Sequence, residues 1–525
     1  MKRITFLVFR VGLALSFLFL PLPRPALAAR QESGGGTFTV NTANDSDIRQ
    51  DVELSLREAI EIANGTLTGP FSVQEKSQMT GCTFTAPGFI SNACGGGNNT
   101  IQFAPSLTEV ALNGRLDALS AAGVTINGQV TAGRVVVNST AADLAFWIEA
   151  NNTTVENITV INASGPIAVA STFAIKGLII SNAYLGVAPG QTSCTSAPLV
   201  RKPDFAFILF KGSGTAALGD GTAYIYNSVL GCAVYDGIAV SNASFVHIGE
   251  DANGTAAGNW IGLDPAGHAL PNGNSGINLC CTTNVKGVSI VNNIIANNLN
   301  HGVYLLLTDT ASGNTISSNN IHFNQLAGIK VENSGSNTLT TNIIHDNGSS
   351  GIWLSGASSI DNDISGDALY ANGAAGITEG EGADKNTWFN LSTHDNFGLG
   401  IDKGDNGLVD APPLTIDSVV KSSGVTTVSG TYTGTLYLTI LYRVDLYRLA
   451  WDASGYGEGR TYVGSATLNN IPFPVVNTWE IIDPAGPGCY TAVVTVVSPI
   501  IPTDNTSSEF SKDFFCQVYL PLLKK

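Results

Sequence analysis

The sequence has few charged residues, and few of those are basic. Asp, Glu, Lys and Arg make up 13% of the 525 residues, and 25 basic residues face 41 acidic ones, for a formal net charge of −16. Proteins that bind nucleic acid need a basic stripe for the phosphates, so this class is excluded. Glycine is abundant, at 58 residues. An acidic, charge-poor and glycine-rich composition with many apolar residues is typical of extracellular all-β proteins.

Long apolar runs are also scarce, and the one that stands out is at the N-terminus. Basic residues precede an apolar segment at 11–20, and small residues follow at 26–28. This pattern predicts a cleavable export signal over residues 1–29. A membrane anchor would need about 20 apolar residues, and prolines from Pro21 onward interrupt the run. We therefore expect an exported protein, extracellular or at the cell surface, whose mature chain has no transmembrane segment.

The eight cysteines of the chain are free to pair, because exported proteins form disulfides. Cys82 and Cys94 flank one short glycine-rich loop, and Cys489 and Cys516 bracket the last strands, so we predict these two disulfides. Adjacent cysteines without a further Cys or His pair rarely complete a tetrahedral zinc site, so zinc is not expected at 280–281. The sequence does not decide how the remaining four cysteines pair: Cys194, Cys232, Cys280 and Cys281.

A short motif, Gly followed by a branched apolar residue, recurs along the chain with an Asn ahead of it. In the last five copies the Gly residues are 23 to 26 positions apart, at 302, 328, 351, 376 and 400. A period in the twenties is a solenoid signature, and the alternating apolar residues indicate strands rather than helices. The pattern predicts a parallel β-helix over 101–410. The recurrent Asn residues are Asn298, Asn324, Asn347, Asn372 and Asn396.

Stacking explains why these positions repeat. Rungs of a β-helix lie about 4.8 Å apart, so equivalent residues sit directly above one another. We expect the recurrent Asn amides to hydrogen-bond from rung to rung and the recurrent Gly to occupy corners with positive φ. Isoleucines of successive rungs are expected to point inward and stack: Ile321 on Ile344, and Ile329 on Ile352.

Both ends of a solenoid need a cover, because an open end is an exposed sheet edge. At the N-terminal end, residues 37–100 contain a strand and then a short amphipathic helix over 55–64. Ser55 and Glu58 have the spacing of a capping box. The sequence therefore predicts that this segment forms the N-terminal cap.

The pattern changes after Pro412-Pro413. Residues 411–516 contain alternating strand patterns separated by turn clusters, which predict a small antiparallel β-sandwich. A short tail follows at 517–525. The fold class expected from the whole chain is all-β, a solenoid followed by a sandwich.

Several stretches match one protein family: LSLREAI at 54–60, GNNTIQF at 97–103, TING at 125–128, NWIGLD at 259–264 and TSSEFS at 506–511. On these stretches the chain resembles secreted bacterial right-handed parallel β-helix proteins with an N-terminal Cys-Ser-Leu-Arg-Glu-Ala segment. The resemblance implies a right-handed β-helix, a C-terminal sandwich and a secreted or surface location, and it supplies no catalytic residue. The family's motif cysteine is Leu54 here.

Four ring-bearing residues stand two positions before the recurrent Asn. Because Ile321 and Ile344 point inward, alternation turns the histidines beside them outward. A column of polar rings could line a glycan-binding strip or offer His nitrogens to a metal, although a tyrosine interrupts the histidines. The alternative is that like residues stack on a solenoid surface wherever rungs align. The four residues are His322, His345, Tyr370 and His394.

Oxygen-bearing side chains also cluster where the predicted solenoid ends. Glycine-containing, oxygen-rich loops suit Ca²⁺, which takes six to eight oxygen ligands. We expect either a structural Ca²⁺ here or a solvated turn, and no other cofactor. The candidate ligands are Asp402, Asp405, Asn406 and Asp410.

Catalytic patterns are weak. A polyuronate lyase needs a base and cations that neutralise the substrate carboxylate, and no Arg lies in the regular repeats after Arg201. His301-Gly302 and Gly328-Ile-Lys330 echo a polygalacturonase pattern, but both fall on the structural repeat. We expect a scaffold or adhesin-like protein that contacts polysaccharide or cell-envelope glycans without catalysis. The alternative is a polysaccharide lyase, hydrolase or uronan epimerase, which should place carboxylates and a cation together on one rung face.

Overall fold

The structure is a computed structural model. It describes residues 35–48, 50–91, 94, 97–169, 175–196, 202–209, 223–404, 414–433, 441–450, 458–468, 477–486, 488–497 and 506–512. The predicted export signal and the C-terminal tail lie outside these residues.

The central part of the chain winds through three sheets in turn, which we number 1, 2 and 3 in chain order within a rung. Strands of one sheet pair in parallel with the equivalent strands of the rungs before and after. Sheet 1 comprises Thr37–Val40, Thr100–Phe103, Thr125–Asn127, Thr154–Glu156, Leu178–Ser181, Ala223–Tyr226, Val246–Ile248, Ser289–Val291, Thr315–Ser317, Thr338–Thr340, Asp363–Ser365 and Thr387–Phe389, with Met79–Thr80 antiparallel at its edge.

Sheets 2 and 3 have the same parallel order. Sheet 2 comprises Glu109–Ala111, Gly133–Asn138, Ile158–Ile161, Tyr184–Leu185, Val229–Leu230, Trp260–Ile261, Ile294–Ala296, Asn320–His322, Ile343–His345, Ala368–Tyr370 and Ser392–His394, with Gln129–Val130 antiparallel to one of them. Sheet 3 comprises Leu144–Trp147, Gly165–Val169, Phe207–Leu209, Ile238–Ser241, Ile277–Cys280, Val303–Leu306, Ile329–Glu332, Ile352–Ser355, Ile377–Glu379 and Ile401–Lys403.

The all-β fold class and the parallel β-helix are thereby confirmed. The predicted isoleucine stacks exist: Ile321 pairs with Ile344 in sheet 2, and Ile329 pairs with Ile352 in sheet 3. All four side chains are fully buried. The core therefore consists of aliphatic columns that run along the solenoid, one rung above the next.

The predicted Asn ladder is confirmed, and the structure contains two more. In each ladder the side-chain Nδ2 of one rung donates to the side-chain oxygen of the next, so the hydrogen bonds between the asparagine side chains all point toward the C-terminal end. The first ladder, at the corner after sheet 2, has N–O distances of 2.8 to 3.0 Å and runs through Asn272, Asn298, Asn324, Asn347, Asn372 and Asn396.

The other two ladders lie at the remaining corners that flank sheet 1. Each ladder ends on a carboxylate: the first on Glu458, the second on Asp367 and the third on Glu379. A carboxylate accepts hydrogen bonds without donating, which suits the last position of a ladder whose members all donate forward. The second ladder comprises Asn259, Asn293, Asn319 and Asn342, and the third comprises Asn314, Asn337, Asn362 and Asn386.

The expectation that the recurrent glycines occupy positive-φ corners was wrong. Gly328, for example, is absent from the positive-φ residues, which at these corners include Phe323 and Asp346 instead. A Cβ added at Gly328 would lie 2.3 Å from Ile344 Cγ2 and 2.8 Å from the main-chain oxygen of Gly351. Glycine recurs here because the next rung leaves no room for a side chain.

The N-terminal end is covered by two helices, α1 (Leu56–Asn64) and α2 (Val73–Ser77). Ser55 is the N-cap of α1, and its hydroxyl accepts from Glu58 N while the Glu58 carboxylate accepts from Ser55 N. The apolar face of α1 belongs to the same buried cluster as the solenoid core. A short antiparallel hairpin, Phe84–Thr85 with Phe89–Ile90, follows α2.

Residues after 413 form two antiparallel sheets around a second buried cluster, which confirms the predicted change to antiparallel strands. One sheet comprises Leu414–Ser422, Val425–Tyr432 and Asn477–Asp483, and the other comprises Glu458–Leu468, Leu441–Ala450, Tyr490–Val497 and Thr506–Ser507.

The TSSEFS stretch joins this sandwich to the last rung of the solenoid. The hydroxyl of Ser507 accepts from Trp388 N at 3.1 Å, and the main-chain oxygen of Ser508 accepts from Trp388 Nε1 at 2.9 Å. Oε1 of Glu509 accepts from Lys403 N at 2.7 Å. Phe510 is buried in the solenoid core cluster. The sandwich therefore covers the open edge that the solenoid would otherwise expose.

Candidate functional site

The four predicted rings form a continuous stack on the outer face of sheet 2. Ring centroids are 4.9 Å apart between His322 and His345, 4.8 Å between His345 and Tyr370, and 5.1 Å between Tyr370 and His394. The ring planes of the last two pairs are parallel to within 2°. The strand register places each ring directly above the next. We call these four residues the ring column.

The stack decides which parts of the rings are available. Because each inner ring is covered on both faces by its neighbours, the column presents ring edges to solvent. Nδ1 of His345 lies 2.7 Å from a carboxylate oxygen of Asp346, and Nδ1 of His394 lies 2.7 Å from Asp395. Nε2 of His345 lies 3.1 Å from the side-chain oxygen of Asn320.

His322 differs from the other histidines of the column. Burial lowers its pKa, and the adjacent His345 lowers the pKa further, while Asp346 opposes both effects. The exposed ring of Phe323 meets His322 edge-on at 5.1 Å. His322 is therefore a neutral ring at the end of the column, partly shielded from water.

A second cluster, which the sequence reasoning missed, lies on the outer face of sheet 3. The register places Tyr304, Lys330 and Trp353 at equivalent positions on three successive rungs. Lys330 Nζ lies 3.2 Å from the centroid of the Trp353 ring, a cation–π contact. Glu332 lies on the same strand as Lys330, and alternation places both on the outer face. Its Oε2 accepts from the Tyr304 hydroxyl at 3.0 Å.

His301 flanks this cluster at the preceding corner. Its ring centroid is 5.3 Å from that of Tyr304, and its Nδ1 accepts from Ala327 N at 3.2 Å. Burial lowers the pKa of His301 to about 4, and the charge of Lys330 contributes. Burial and the neighbouring Glu332 raise the pKa of Tyr304. At neutral pH both rings are uncharged, and Lys330 provides a positive potential. We call His301, Tyr304, Lys330, Glu332 and Trp353 the sheet 3 cluster.

The sequence contained a signal for the cluster. His301 and Lys330 belong to the two stretches that echo a polygalacturonase pattern, and both stretches also fit the structural repeat. From Gly276 onward, the residue two positions after each recurrent Gly is polar or aromatic, and the inward positions of the same strands are mostly aliphatic. The series is Asn278, Tyr304, Lys330, Trp353, Thr378 and Asp402.

The Ca²⁺ hypothesis stays a prediction. Asp402 is buried at the last rung of sheet 3, aligned with Thr378, whereas Asp405, Asn406 and Asp410 lie outside the described residues. Within the part of the chain that the structure describes, no group of three or more His, Cys, Asp or Glu side chains could hold a metal ion.

The cysteines form pairs. Cys82 bonds to Cys94, Cys194 to Cys232, and Cys280 to its neighbour Cys281. The last pair leaves no thiolate for zinc. Cys489 is also in a disulfide, and its predicted partner Cys516 lies outside the described residues.

Part of the chain matches a known family. The profile of the family described as "Periplasmic copper-binding protein (NosD)" matches residues 226–434, less than half of the chain. All six histidines lie in that range, but those of the ring column stack face to face and do not converge with other ligands on one point. The described residues therefore do not fit a copper site. No curated protein matches the chain.

Solved structures with a similar trace are parallel β-helix proteins. The A-module of a mannuronan C-5 epimerase of Azotobacter vinelandii aligns at 12% identity and TM-score 0.39, over 59% of this chain and 78% of that one. A surface adhesin of Streptococcus pneumoniae aligns at 14% and 0.33, over 65% and 92%. A tailspike capsular polysaccharide depolymerase of an Acinetobacter baumannii bacteriophage aligns at 10% and 0.31, over 80% and 77%. At these values the likenesses carry no argument about function.

Among the described residues, no helix has the length and apolarity to cross a membrane.

Proposed function

We propose that this protein is an exported β-helix scaffold, adhesin-like and non-catalytic, that contacts polysaccharide or cell-envelope glycans along the ring column. The observation that carries the proposal is the unbroken stack from His322 to His394 on four successive rungs. The export signal and the disulfides support an extracellular or cell-surface location.

The chemistry of the column suits a linear polymer. Its edges carry the Tyr370 phenol oxygen and those imidazole nitrogens that Asp346, Asp395 and Asn320 do not already contact, and such groups exchange hydrogen bonds with hydroxyl groups. The edges recur at the rung spacing of about 4.8 Å, so a chain that lies along the solenoid axis meets several of them at once.

The stack also holds its rings in place. A ring packed between two others has little rotamer freedom to lose when a ligand binds, and preorganised groups bind more tightly for that reason. The column is thus a fixed surface with hydrogen-bonding edges, which agrees with a scaffold that presents a binding face and carries out no reaction.

The test is polysaccharide binding by the double variant His345→Ala/Tyr370→Ala in the mature chain. We expect weaker binding in a co-sedimentation assay with a nearly unchanged melting temperature, because both residues lie on the outer face. Phe397→Ala is the control: that ring is 90% exposed and lies outside the stack. Unaltered binding by the double variant would show that the ring column does not contact the polysaccharide.

One observation favours a polysaccharide-active enzyme as the second candidate. Such an enzyme should place carboxylates and a cation together on one rung face, and one carboxylate, Glu332, shares the outer face of a strand with Lys330. Incubation with Ca²⁺ and a panel of uronate-containing and neutral polysaccharides tests it. New reducing ends or 4,5-unsaturated products would establish catalysis, and their absence across the panel would favour the scaffold.

A further inference from the structure

We propose that the sheet 3 cluster is a binding site for an anionic sugar, a uronate-type unit of a polysaccharide whose carboxylate pairs with Lys330. The site lies on a different sheet from the ring column and does not depend on it.

The charge of the cluster is the first argument. The chain has a formal net charge of −16, so an anionic polymer is repelled unless a local cation receives it. Lys330 is such a cation, and it is only 4% exposed. A charge that is shielded from water acts on its neighbours more strongly than one in bulk solvent. Burial is the main cause of the lowered pKa of His301, and the charge of Lys330 lowers it further.

The rings on either side of Lys330 are the second argument. Tyr304 lies on the rung before it and Trp353 on the rung after it. Planar side chains pack against the apolar faces of sugar rings, and their polar tips reach the sugar hydroxyls. A lysine between two such rings matches a sugar that carries one carboxylate.

Polar atoms at the edge of the cluster are the third argument. The indole N–H of Trp353 and the side-chain oxygen of Asn278 are buried and have no hydrogen-bond partner among the described residues. Buried polar atoms in native proteins are normally satisfied, so a donor and an acceptor on one face mark where a ligand with hydroxyl groups would bind. Glu332, on the strand of Lys330, adds carboxylate oxygens to the same face, one of which accepts from Tyr304.

The arrangement also sets the direction of the ligand. Asn278, Tyr304, Lys330 and Trp353 occupy equivalent positions on four successive rungs. A polymer that lies along the solenoid axis would meet them in that order, with its carboxylate at the third position.

The experiment is calorimetric titration of the mature full-length chain with oligogalacturonate and with an uncharged cello-oligosaccharide of the same length. We expect the acidic oligomer to bind at least about tenfold more tightly and to weaken as salt is added, because ion pairs are screened. Lys330→Gln should weaken acidic binding at least about tenfold, and Lys330→Arg, which keeps the charge, should retain most of it.

The matched control is Lys286→Gln. Lys286 is another solenoid lysine, 3.5 Å from Asp309, and its replacement should leave binding unchanged. Absence of acidic binding, equal binding of the neutral oligomer, or unchanged binding by Lys330→Gln would overturn the proposal. Should Lys330→Gln fail to fold, Trp353→Leu takes its place, and unchanged acidic binding by that variant would overturn the proposal equally. The double variant His345→Ala/Tyr370→Ala should bind the acidic oligomer as tightly as the wild type does. The experiment therefore tests the sheet 3 cluster separately from the ring column.

Discussion

Asn396 donates two hydrogen bonds to one oxygen of Glu458: its main-chain N lies 3.0 Å from Oε1 and its Nδ2 lies 2.9 Å away. Asn396 is the last asparagine of the first ladder, and Glu458 opens a sandwich strand. The Glu458 residue is 1% exposed. The sandwich therefore supplies the final member of a ladder whose other members belong to the solenoid. The two parts are joined by hydrogen bonds as well as by packing in a common hydrophobic core.

The first prediction concerns this junction. Glu458→Ala leaves two partly buried N–H groups of Asn396 without the Glu458 acceptor, so we expect the free energy of unfolding to fall by about 1–3 kcal/mol. Glu458→Gln keeps an acceptor oxygen, so its free energy of unfolding should fall much less. Urea denaturation of the mature chain measures both. Equal losses in the two variants would show that the carboxylate charge, rather than the hydrogen bonds, matters.

The second prediction concerns Asp367, which ends the second ladder. Burial raises its pKa from 3.8 to about 7, because one carboxylate oxygen has no hydrogen-bond partner among the described residues and the next rung places the apolar Leu391 there. Between about pH 4 and 7 the folded chain keeps a proton that the unfolded chain has lost. The contribution of protonated Asp367 to the free energy of unfolding is therefore present at low pH and is lost as pH rises toward 7.

Asp367→Asn removes that titration. Between pH 4 and 8 we expect the free energy of unfolding of the wild type to fall by an amount on the order of 2–4 kcal/mol that the variant does not lose. Thermal unfolding across this range, compared between the two proteins, is the measurement. Asp117→Asn, at an exposed aspartate, serves as the control and should follow the wild-type profile. Parallel profiles for wild type and Asp367→Asn would contradict the prediction.

The third prediction concerns the recurrent glycine. In Gly328→Ala the new Cβ would meet Ile344 at 2.3 Å and the Gly351 oxygen at 2.8 Å. Overpacking of this kind costs about 1–3 kcal/mol, and denaturant unfolding should show it. Gly114→Ala is the matched control, since its Cβ would have nothing within 4 Å. A loss at Gly114 as large as at Gly328 would indicate that backbone freedom, and not space, is responsible.

Much of the fold could be predicted from the sequence because each rung of a solenoid requires the same residue types at equivalent positions. The period, the inward Ile321 and Ile344, and the Asn298 ladder all follow from rungs that stack in register. The reason for the glycines could not be read in the same way. Positive φ and lack of space both select glycine, and only the position of the next rung distinguishes them.

The site was predicted less completely than the fold. The ring column was found because histidine is rare in this chain and its spacing matches the repeat. The sheet 3 cluster was missed because Tyr304, Lys330 and Trp353 differ in type, so a search for like residues at equal spacing passes over them. Their shared position becomes visible only when the rungs are aligned residue by residue.

The three ladders have a direction, since each amide accepts from the rung before and all but the last of the third ladder, Asn386, donate to the rung after. A new rung with its own three asparagines can therefore be inserted anywhere upstream of the terminal carboxylates without leaving a hydrogen bond unmade. Glu458 and Glu379 end two of the ladders at the last rungs, and Asp367 ends the second ladder one rung earlier, below Leu391. The protein can change its length by internal duplication, while the chemistry of its C-terminal end stays the same.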